Sequence, residues 1–317
     1  MYIWLNRIAM SKRVAVMDLG TNTFHLLIAE GSATKPAILY KNTIAVKLGE
    51  GGSNKGLIQP SAYQRGLDAM QQFSGQIKKI GVIEIHAIAT SALRNAANGQ
   101  EFMEQVKAET GVTIETINGD AEAEYIYEGI KASGCLSDKT SLIVDIGGGS
   151  VEFIICNRRE LFWKQSFEVG AARLMDQFHR TDPIPSSAIA DLNNYLEEKL
   201  TDLFSAASKY KVDNMIGSSG SFETFAAITE QQNNQLFDLD QTPAYHFKHD
   251  ELLQTIDYIV KSNHQERAKN SVIIPVRVDM IVVAALCTKF VMDKLGLADV
   301  IMSTSSLKEG VLAKILT

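Results

Sequence analysis

Hydrophobic and polar positions alternate along this chain with two different periods. A short apolar run at residues 14–17 ends at Asp18 and predicts a buried strand, and the next strands are predicted at 25–30 and 37–48. Apolar residues at helical spacing then predict a helix over 60–80, which opens on a proline. This alternation of strands and helices continues to the end of the chain, which is typical of α/β domains.

The remaining predicted elements share the same two patterns. In the first half we predict strands at 83–89 and 112–117, and helices at 102–110 and 121–132. In the second half we predict strands at 141–145, 151–156, 161–167, 214–216 and 300–302, and helices at 186–210, 221–228, 250–262, 276–295 and 307–316.

One sequence motif occurs twice. It consists of an acidic residue at a strand end, a glycine turn, a hydroxyl residue and a strand that runs back. The two copies are Asp18-Leu19-Gly20-Thr21-Asn22-Thr23-Phe24-His25 and Asp145-Ile146-Gly147-Gly148-Gly149-Ser150-Val151-Glu152. A single copy is also typical of an ordinary hairpin. Because the interval between the copies has the size of a domain, we predict two similar halves, at residues 12–132 and 133–317.

Both hairpins have the chemistry of a phosphate site. Glycine lets backbone N–H groups converge on an anion, and Thr23 and Ser150 add hydroxyl donors. A carboxylate at the strand end can hold Mg²⁺ or a water molecule that faces the phosphate. Two such hairpins that face each other would form a cleft for a phosphorylated ligand.

Three further segments place polar groups at a strand end or a helix start. Arg94 follows the strand at 83–89 and can clamp a phosphate, although a surface arginine is the commoner outcome. Glu122 lies in the first turn of a predicted helix, where it serves either the helix dipole or a general base. The segment 217–221, Gly-Ser-Ser-Gly-Ser, is either a third anion-binding turn or a plain turn.

Composition excludes several classes of function. The chain of 317 residues has a net charge of −6, so it offers no general basic surface to nucleic acids or membranes. P-loop and dinucleotide-binding motifs are absent from the sequence. Three widely spaced cysteines form neither a disulfide framework nor a zinc motif, which favours a reducing cytoplasm. Residues 1–11 lack a signal-peptide pattern, and whether they are native and ordered stays open.

Together these segments resemble the exopolyphosphatase/guanosine pentaphosphate phosphohydrolase family, in the actin-like, sugar kinase and Hsp70 superfamily. The two hairpins look like its phosphate motifs, and segments 89–94, 170–174 and 303–310 match it as well. The resemblance extends from Val14 over nearly the whole chain and corresponds to the short, two-domain members. It implies an α/β fold in which two ribonuclease H-like domains flank a central cleft.

The resemblance also implies roles for individual residues. Glu122 would be the catalytic base, and Asp145 with Glu152, which is also a catalytic candidate, would hold Mg²⁺. Arg94 would take part in catalysis by binding the reacting phosphoryl group and offsetting its charge. The implied phosphate-binding residues are Gly20, Thr21, Asn22, Thr23, Gly147, Gly148, Gly149 and Ser150. Further candidates for the cleft are Asp18, Arg173, Ser219, Gly220, Arg277 and Lys308. The chain departs from the family at Ala121, where a second Glu is frequent, and at Lys308, where Arg is usual.

We therefore expect a cytoplasmic, homodimeric exopolyphosphatase that releases the terminal phosphate of inorganic polyphosphate. A guanosine pentaphosphate phosphohydrolase needs the same residues plus a guanosine pocket, which the sequence does not locate. A non-catalytic sensor of polyphosphate or nucleotide is the alternative of another class, and a sugar kinase or chaperone-like ATPase lacks its own signature here. The preferred substrate, its chain length, processivity, monovalent-ion dependence and the dimer surface stay open.

Overall fold

The computed structural model describes residues 12–32, 35–52 and 55–316. The expectation about residues 1–11, and the centre of the glycine-rich loop at 53–54, lie outside these residues. Within the described ranges, the molecule consists of two mixed β-sheets with helices packed on them.

The first sheet contains five strands in the order β3-β2-β1-β4-β5. Its strands are β1 (Arg13–Leu19), β2 (Thr23–Ser32), β3 (Lys35–Ala45), β4 (Glu84–Ala89) and β5 (Ile114–Thr116). The three strands β1 to β3 form an antiparallel meander, whereas β4 and β5 run parallel to β1. The predicted opening strands are confirmed.

The second sheet repeats this plan and adds one strand, in the order β10-β11-β9-β6-β7-β8. Its strands are β6 (Ser141–Ile146), β7 (Val151–Cys156), β8 (Leu161–Phe167), β9 (Asn214–Ser218), β10 (Ala244–Phe247) and β11 (Val300–Ser303). Again a meander of three strands, β6 to β8, is followed by two parallel neighbours, β9 and β11. The predicted repeat is therefore a repeat of topology, whereas the edge strand β10 was missed.

The helices cover both sheets and fill the space between them. In the first half they are α1 (Pro60–Ile80), α2 (Ser91–Asn95), α3 (Gly99–Thr110) and α4 (Gly119–Ser133). In the second half they are α5 (Ala171–Phe178), α6 (Ser186–Lys199), α7 (Thr201–Tyr210), α8 (Ser219–Gln232), α9 (His249–Lys261), α10 (His264–Lys269), α11 (Met280–Leu295) and α12 (Leu307–Leu316). None of the helices in these ranges combines the length and apolar character that a membrane crossing requires.

Two predicted helices were wrong in extent. The helix predicted at 186–210 is broken at Leu200, which leaves the helical conformation while its side chain stays fully buried with Leu196 and Leu203. Tertiary packing here overrides a continuous helical pattern. The helix predicted from 276 begins only at Met280, since the preceding residues form turns that lead to Asp279.

Helices α4 and α12 lie between the two sheets and pack on each other. Their apolar residues share one core with Val14 and Val16 of the first sheet and with Ile143 and Ile154 of the second. Helix α12, the last element described, therefore contacts the first sheet. The division at residues 132 and 133 stays a prediction, because α4 packs on strands of both halves.

Candidate active site

The two repeated hairpins form equivalent turns at the ends of β1 and β6. In the first, the Gly20 N–H donates to the Thr23 carbonyl at 3.1 Å, and in the second the Gly147 N–H donates to the Ser150 carbonyl at 3.0 Å. The strand register places Asp18 opposite His25 and Asp145 opposite Glu152. The repeat thus puts a histidine in one half where the other half has a carboxylate.

The two hairpins touch each other across the centre of the molecule. A methyl group added to Gly148 would meet Asn22 Nδ2 at 2.3 Å, and one added to Gly149 would meet Ser91 Oγ at 2.4 Å. Glycine suits this close approach, because a Cβ at either position would force side chains of the opposite half to shift.

A polar cleft of about 160 Å³ lies beside this contact. Its walls come from both hairpins, from the starts of α4, α8 and α12 and from the turn before α11. Among the predicted site residues it is lined by Asp18, Gly20, Thr21, Asn22, Thr23, Glu122, Asp145, Gly147, Gly148, Gly149, Ser150, Glu152, Ser219, Gly220, Arg277 and Lys308. The fold therefore gathers residues from distant segments at one cleft.

Four carboxyl groups in this cleft have raised pKa values. Burial, opposed in part by Lys308, raises the pKa of Asp18 to about 7. Burial and the neighbouring Asp145 raise the pKa of Glu152 to about 7. Burial also raises the pKa of Asp145, and burial together with Glu152 raises the pKa of Glu122 well above its ordinary value. These groups ionise more readily when a cation lies among them.

Hydroxyl groups orient two of these carboxylates. Ser218 and Ser306 donate to Asp145 Oδ2 at 2.8 and 2.9 Å, and Ser166 donates to Glu152 Oε1 at 2.6 Å. These donors favour the ionised form and fix the direction of the carboxylate oxygens.

Glu122 is positioned by the start of α4 and by Arg94. The Asn118 side chain caps the helix by accepting from the Ala121 N–H at 2.9 Å, so the first turn carries Glu122 into the cleft. Arg94 donates to Glu122 Oε2 at 3.2 Å and to the Ile117 carbonyl at 2.8 Å. Arg94 thereby holds the side chain that the sequence predicts as the base.

Basic groups also line the cleft, around His25 and next to Asp18. Burial lowers the pKa of Lys308, but the negative charges of Glu309 and Asp18 together raise it by more. Its pKa is therefore raised, and Lys308 stays protonated. Arg277 donates to Glu223 at 3.1 Å and lies against Gly220, where any Cβ would collide with its guanidinium group. His25 faces these cations, and its pKa is lowered by burial and by Lys308, so it is neutral. An anion therefore finds positive charge in this part of the cleft.

Two predicted arginines lie beside the cleft rather than in its wall. Arg94 reaches it only through Glu122, and Arg173 lines a small adjoining cavity of about 20 Å³ behind Gly149. Arg173 Nε donates to the Gly149 carbonyl at 2.9 Å, so it supports the second hairpin.

The side chains of this cleft fit a hard cation held by few protein ligands. Among the described residues, no set of three or more His, Cys, Asp or Glu side chains is arranged to hold a metal ion. Mg²⁺ commonly takes one or two carboxylates and completes its shell with water and phosphate oxygens. Asp145 and Glu152, opposite each other across β6 and β7, are two such carboxylates.

Several polar residues of this region were missed by the sequence reasoning. Ser218 stands within a motif that the sequence did single out, but its bond to Asp145 joins segments far apart in the chain. Ser166, Glu168 and Glu223 carried no sequence signal. Only the packing of β8 and α8 beside the hairpins brings them near the cleft.

Comparison with solved structures shows whole-length similarity. An exopolyphosphatase from Cytophaga hutchinsonii is 37% identical, covers 96% of this chain and 98% of its own, and superposes with a TM-score of 0.93. A Ppx/GppA family member from Aquifex aeolicus is 24% identical, covers 96% of this chain and 98% of its own, and has a TM-score of 0.80. The predicted fold, two α/β domains flanking a cleft, is confirmed.

Curated relatives are more distant and longer. A bifunctional 3-dehydroquinate synthase/phosphatase of Fusobacterium nucleatum is 28% identical over 91% of this chain and 44% of its own length. A guanosine-5'-triphosphate,3'-diphosphate pyrophosphatase of Pseudoalteromonas translucida is 30% identical over 68% of this chain and 43% of its own. The chain thus spans less than half the length of these two relatives. The model of the Ppx/GppA phosphatase family matches residues 27–317. Since that match covers nearly the whole chain, including all of the second sheet, the chain belongs to the Ppx/GppA phosphatase family.

Proposed function

We propose that this protein is an exopolyphosphatase that hydrolyses the terminal phosphate of inorganic polyphosphate. The observation that carries the proposal is one cleft that gathers the four carboxyl groups with raised pKa values, Lys308 and Arg277, and two glycine hairpins. Such a cleft suits a chain of phosphates whose last unit reacts among the carboxylates. The similarity to the Cytophaga hutchinsonii exopolyphosphatase supports this substrate class.

Glu122 is the general base in this proposal. Burial first, and then the neighbouring Glu152, raise the pKa of Glu122, so its carboxylate is a stronger base than that of an exposed glutamate. Glu122 accepts a proton from water while the water oxygen attacks the terminal phosphorus. The bond from that phosphorus to the bridging oxygen breaks, the shortened chain departs with that oxygen and the bonding electrons, and orthophosphate is released. Arg94 keeps the Glu122 carboxylate aimed at the cleft through their hydrogen bond.

The remaining side chains neutralise charge and hold the chain of phosphates. Asp145 and Glu152 would hold Mg²⁺, which when bound offsets the charge of the reacting phosphate. Backbone N–H groups and hydroxyls of both hairpins, from Gly20 to Thr23 and from Gly147 to Ser150, cradle the terminal phosphates. Lys308, Arg277 and the turn at Ser219 and Gly220 receive the next units.

Hydrolysis of guanosine pentaphosphate is the second candidate. It is favoured by the 30% identity to the Pseudoalteromonas translucida pyrophosphatase and uses the same carboxylates. The two candidates differ only in what the cleft accepts beyond the reacting phosphates.

The experiment is phosphate release by the purified protein with Mg²⁺ from long-chain polyphosphate, guanosine pentaphosphate and ATP. We expect fast release from polyphosphate and no release in excess chelator. Preference for guanosine pentaphosphate would replace the proposal with the second candidate. Absence of release from all three, with polyphosphate binding retained, would favour a non-catalytic sensor. The cytoplasmic homodimer stays a prediction, which light scattering of the purified protein tests for the oligomer.

A further inference from the structure

Glu168 carries a carboxylate that bridges the two halves of the molecule at the edge of the cleft. It follows β8 and precedes α5, and its side chain is 49% exposed. Four side chains contact its carboxylate: Arg173 Nη2 at 2.6 Å, Asn95 Nδ2 at 3.1 Å, Ser91 Oγ at 3.4 Å and Arg94 Nη2 at 3.7 Å.

These partners are the groups that proteins use to bind phosphate. The Arg173 guanidinium, the Asn95 amide and the Ser91 hydroxyl lie within hydrogen-bond distance of its two oxygens, and the Arg94 guanidinium adds positive charge at 3.7 Å. Together they complement an anion. Three of them come from α2 in the first half, and Arg173 comes from α5 in the second. The carboxylate of Glu168 is the anion that the chain itself places there.

This cradle adjoins the second phosphate hairpin. Ser91 and Gly149 line both the main cleft and the small cavity that contains Asn95 and Arg173. Arg173 also donates to the Gly149 carbonyl, so the cradle and the hairpin share a side chain. A phosphate bound at the second hairpin therefore lies next to the cradle.

We propose that Glu168 occupies a phosphate subsite formed by Arg94, Arg173, Ser91 and Asn95, and that a polyphosphate chain displaces it. The inference rests on the proposed function, since it names a further subsite for the same substrate. Ion pairs of a half-exposed carboxylate contribute little, so a multivalent anion can replace them. Displacement of Glu168 breaks one of the contacts between the halves. A longer chain can bind the hairpins and this subsite at once, whereas a single orthophosphate can bind only one of them.

The test is binding of inorganic tripolyphosphate in excess chelator, measured by calorimetry, so that hydrolysis does not interfere. Glu168→Gln keeps the shape and removes the charge, and we expect it to bind about threefold to fivefold more tightly than the native chain. The matched control is Glu198→Gln, which removes the same charge from a side chain that is 76% exposed on α6. Its affinity should stay native.

Two more variants separate occupancy of the subsite from simple repulsion. Glu168→Asp keeps the charge but is too short to reach both halves, so we expect it to bind more tightly than the native chain. Adding Arg173→Ala to Glu168→Gln should abolish the gain, because the subsite loses a guanidinium group. Melting curves verify that each variant is folded.

Native affinity in both Glu168→Gln and Glu168→Asp would overturn the inference. If the native protein still releases phosphate from polyphosphate, the proposed function survives that result. Absence of tripolyphosphate binding in every variant, together with absence of polyphosphate hydrolysis, would overturn both.

Discussion

The most unusual residues of this protein are carboxylic acids buried together. Glu122, Asp145 and Glu152 are at most 7% exposed, and Asp18 shares their cleft. Buried carboxyl groups normally cost stability once they ionise, and they are retained where their charge has a use. A site that binds a cation together with a phosphate chain would use these charges, since the cation stabilises the ionised carboxylates.

The raised pKa values of Asp18 and Glu152 predict how stability depends on pH. Both rise to about 7 from ordinary values of 3.8 and 4.5, so the native state binds more protons than the unfolded state between these limits. Their contribution to the free energy of unfolding is complete below pH 4 and is lost as pH rises through 7. The native protein should therefore lose stability between pH 5 and pH 8 in chelator. Glu152→Gln lacks one of these groups, so it should lose less.

Denaturant unfolding of the native protein and Glu152→Gln at both pH values measures this difference. Comparing the two proteins cancels the surface groups, which titrate alike in both. A difference that stays constant with pH would contradict the raised pKa of Glu152. Mg²⁺ should stabilise the native protein more at pH 8 than at pH 5, because it binds the ionised carboxylates.

Substitution of the proposed base gives the second prediction at this scale. Glu122→Gln keeps the hydrogen-bonding shape but cannot accept a proton from water, so phosphate release should fall by about two to four orders of magnitude. Polyphosphate binding should stay within a few-fold of the native value. The matched control is Glu124→Gln on the same helix, whose side chain pairs with Lys164 and Lys314 instead. Equal activity in both variants would remove Glu122 from this role.

At the scale of elements, the molecule depends on the crossing of α4 and α12. Gly129 and Gly310 lie at the crossing, where a methyl group on Gly310 would meet the Tyr125 carbonyl oxygen at 1.7 Å. Small residues let the two helices approach backbone to backbone, so both fit between the sheets. The sequence predicted both helices, but not that they pack together, since Gly129 and Gly310 are far apart in the chain.

We predict that Gly310→Ala destabilises the protein by about 1–3 kcal/mol, because the added methyl forces the helices apart. The control is Gly75→Ala on the exposed side of α1, where an added methyl meets open space. That change should stabilise by about 0.5–1 kcal/mol, since alanine is the better helix former. Urea unfolding of the three proteins measures both effects, and equal stability of Gly310→Ala and the native chain would disprove the close crossing.

At the scale of the whole molecule, the two halves meet through the tips of their hairpins. Gly148 and Gly149 allow this contact with Thr21, Asn22 and Ser91. Other links between the halves include the bridge at Glu168, an ion pair of Lys41 with Asp240 at 3.1 Å and the ion pairs of Glu124 with Lys164 and Lys314. The halves also share the apolar core around α4 and α12.

Gly148→Ala should disturb the contact between the hairpins. The added methyl meets the side chains of Asn22 and Thr21, which must shift, so the hairpins are displaced around the terminal phosphates. We expect kcat/KM for polyphosphate to fall by about a hundredfold, as misplacement of reacting groups commonly does. Gly75→Ala is the control, since its added methyl meets open space. Native kcat/KM in Gly148→Ala would contradict a role for this contact.

The sequence by itself determined the local features of this protein. Apolar runs and glycine turns specified the meanders and hairpins, because both depend on neighbours along the chain. The repeated motif also indicated two similar halves, and the motif segments supplied Glu122, Asp145 and Glu152 as candidates. These features are encoded within about ten residues each, so pattern reasoning reaches them.

Only the tertiary structure decided which distant side chains meet. The break at Leu200, the seat of α4 and α12 between the sheets, and the serines that hold Asp145 arise from packing between segments far apart in sequence. Glu168 is the clearest case. It follows β8 in a segment without any recognisable motif, yet its carboxylate joins α2 to α5. Burial and charge at such meeting points depend on the whole fold, and they set the chemistry of the cleft.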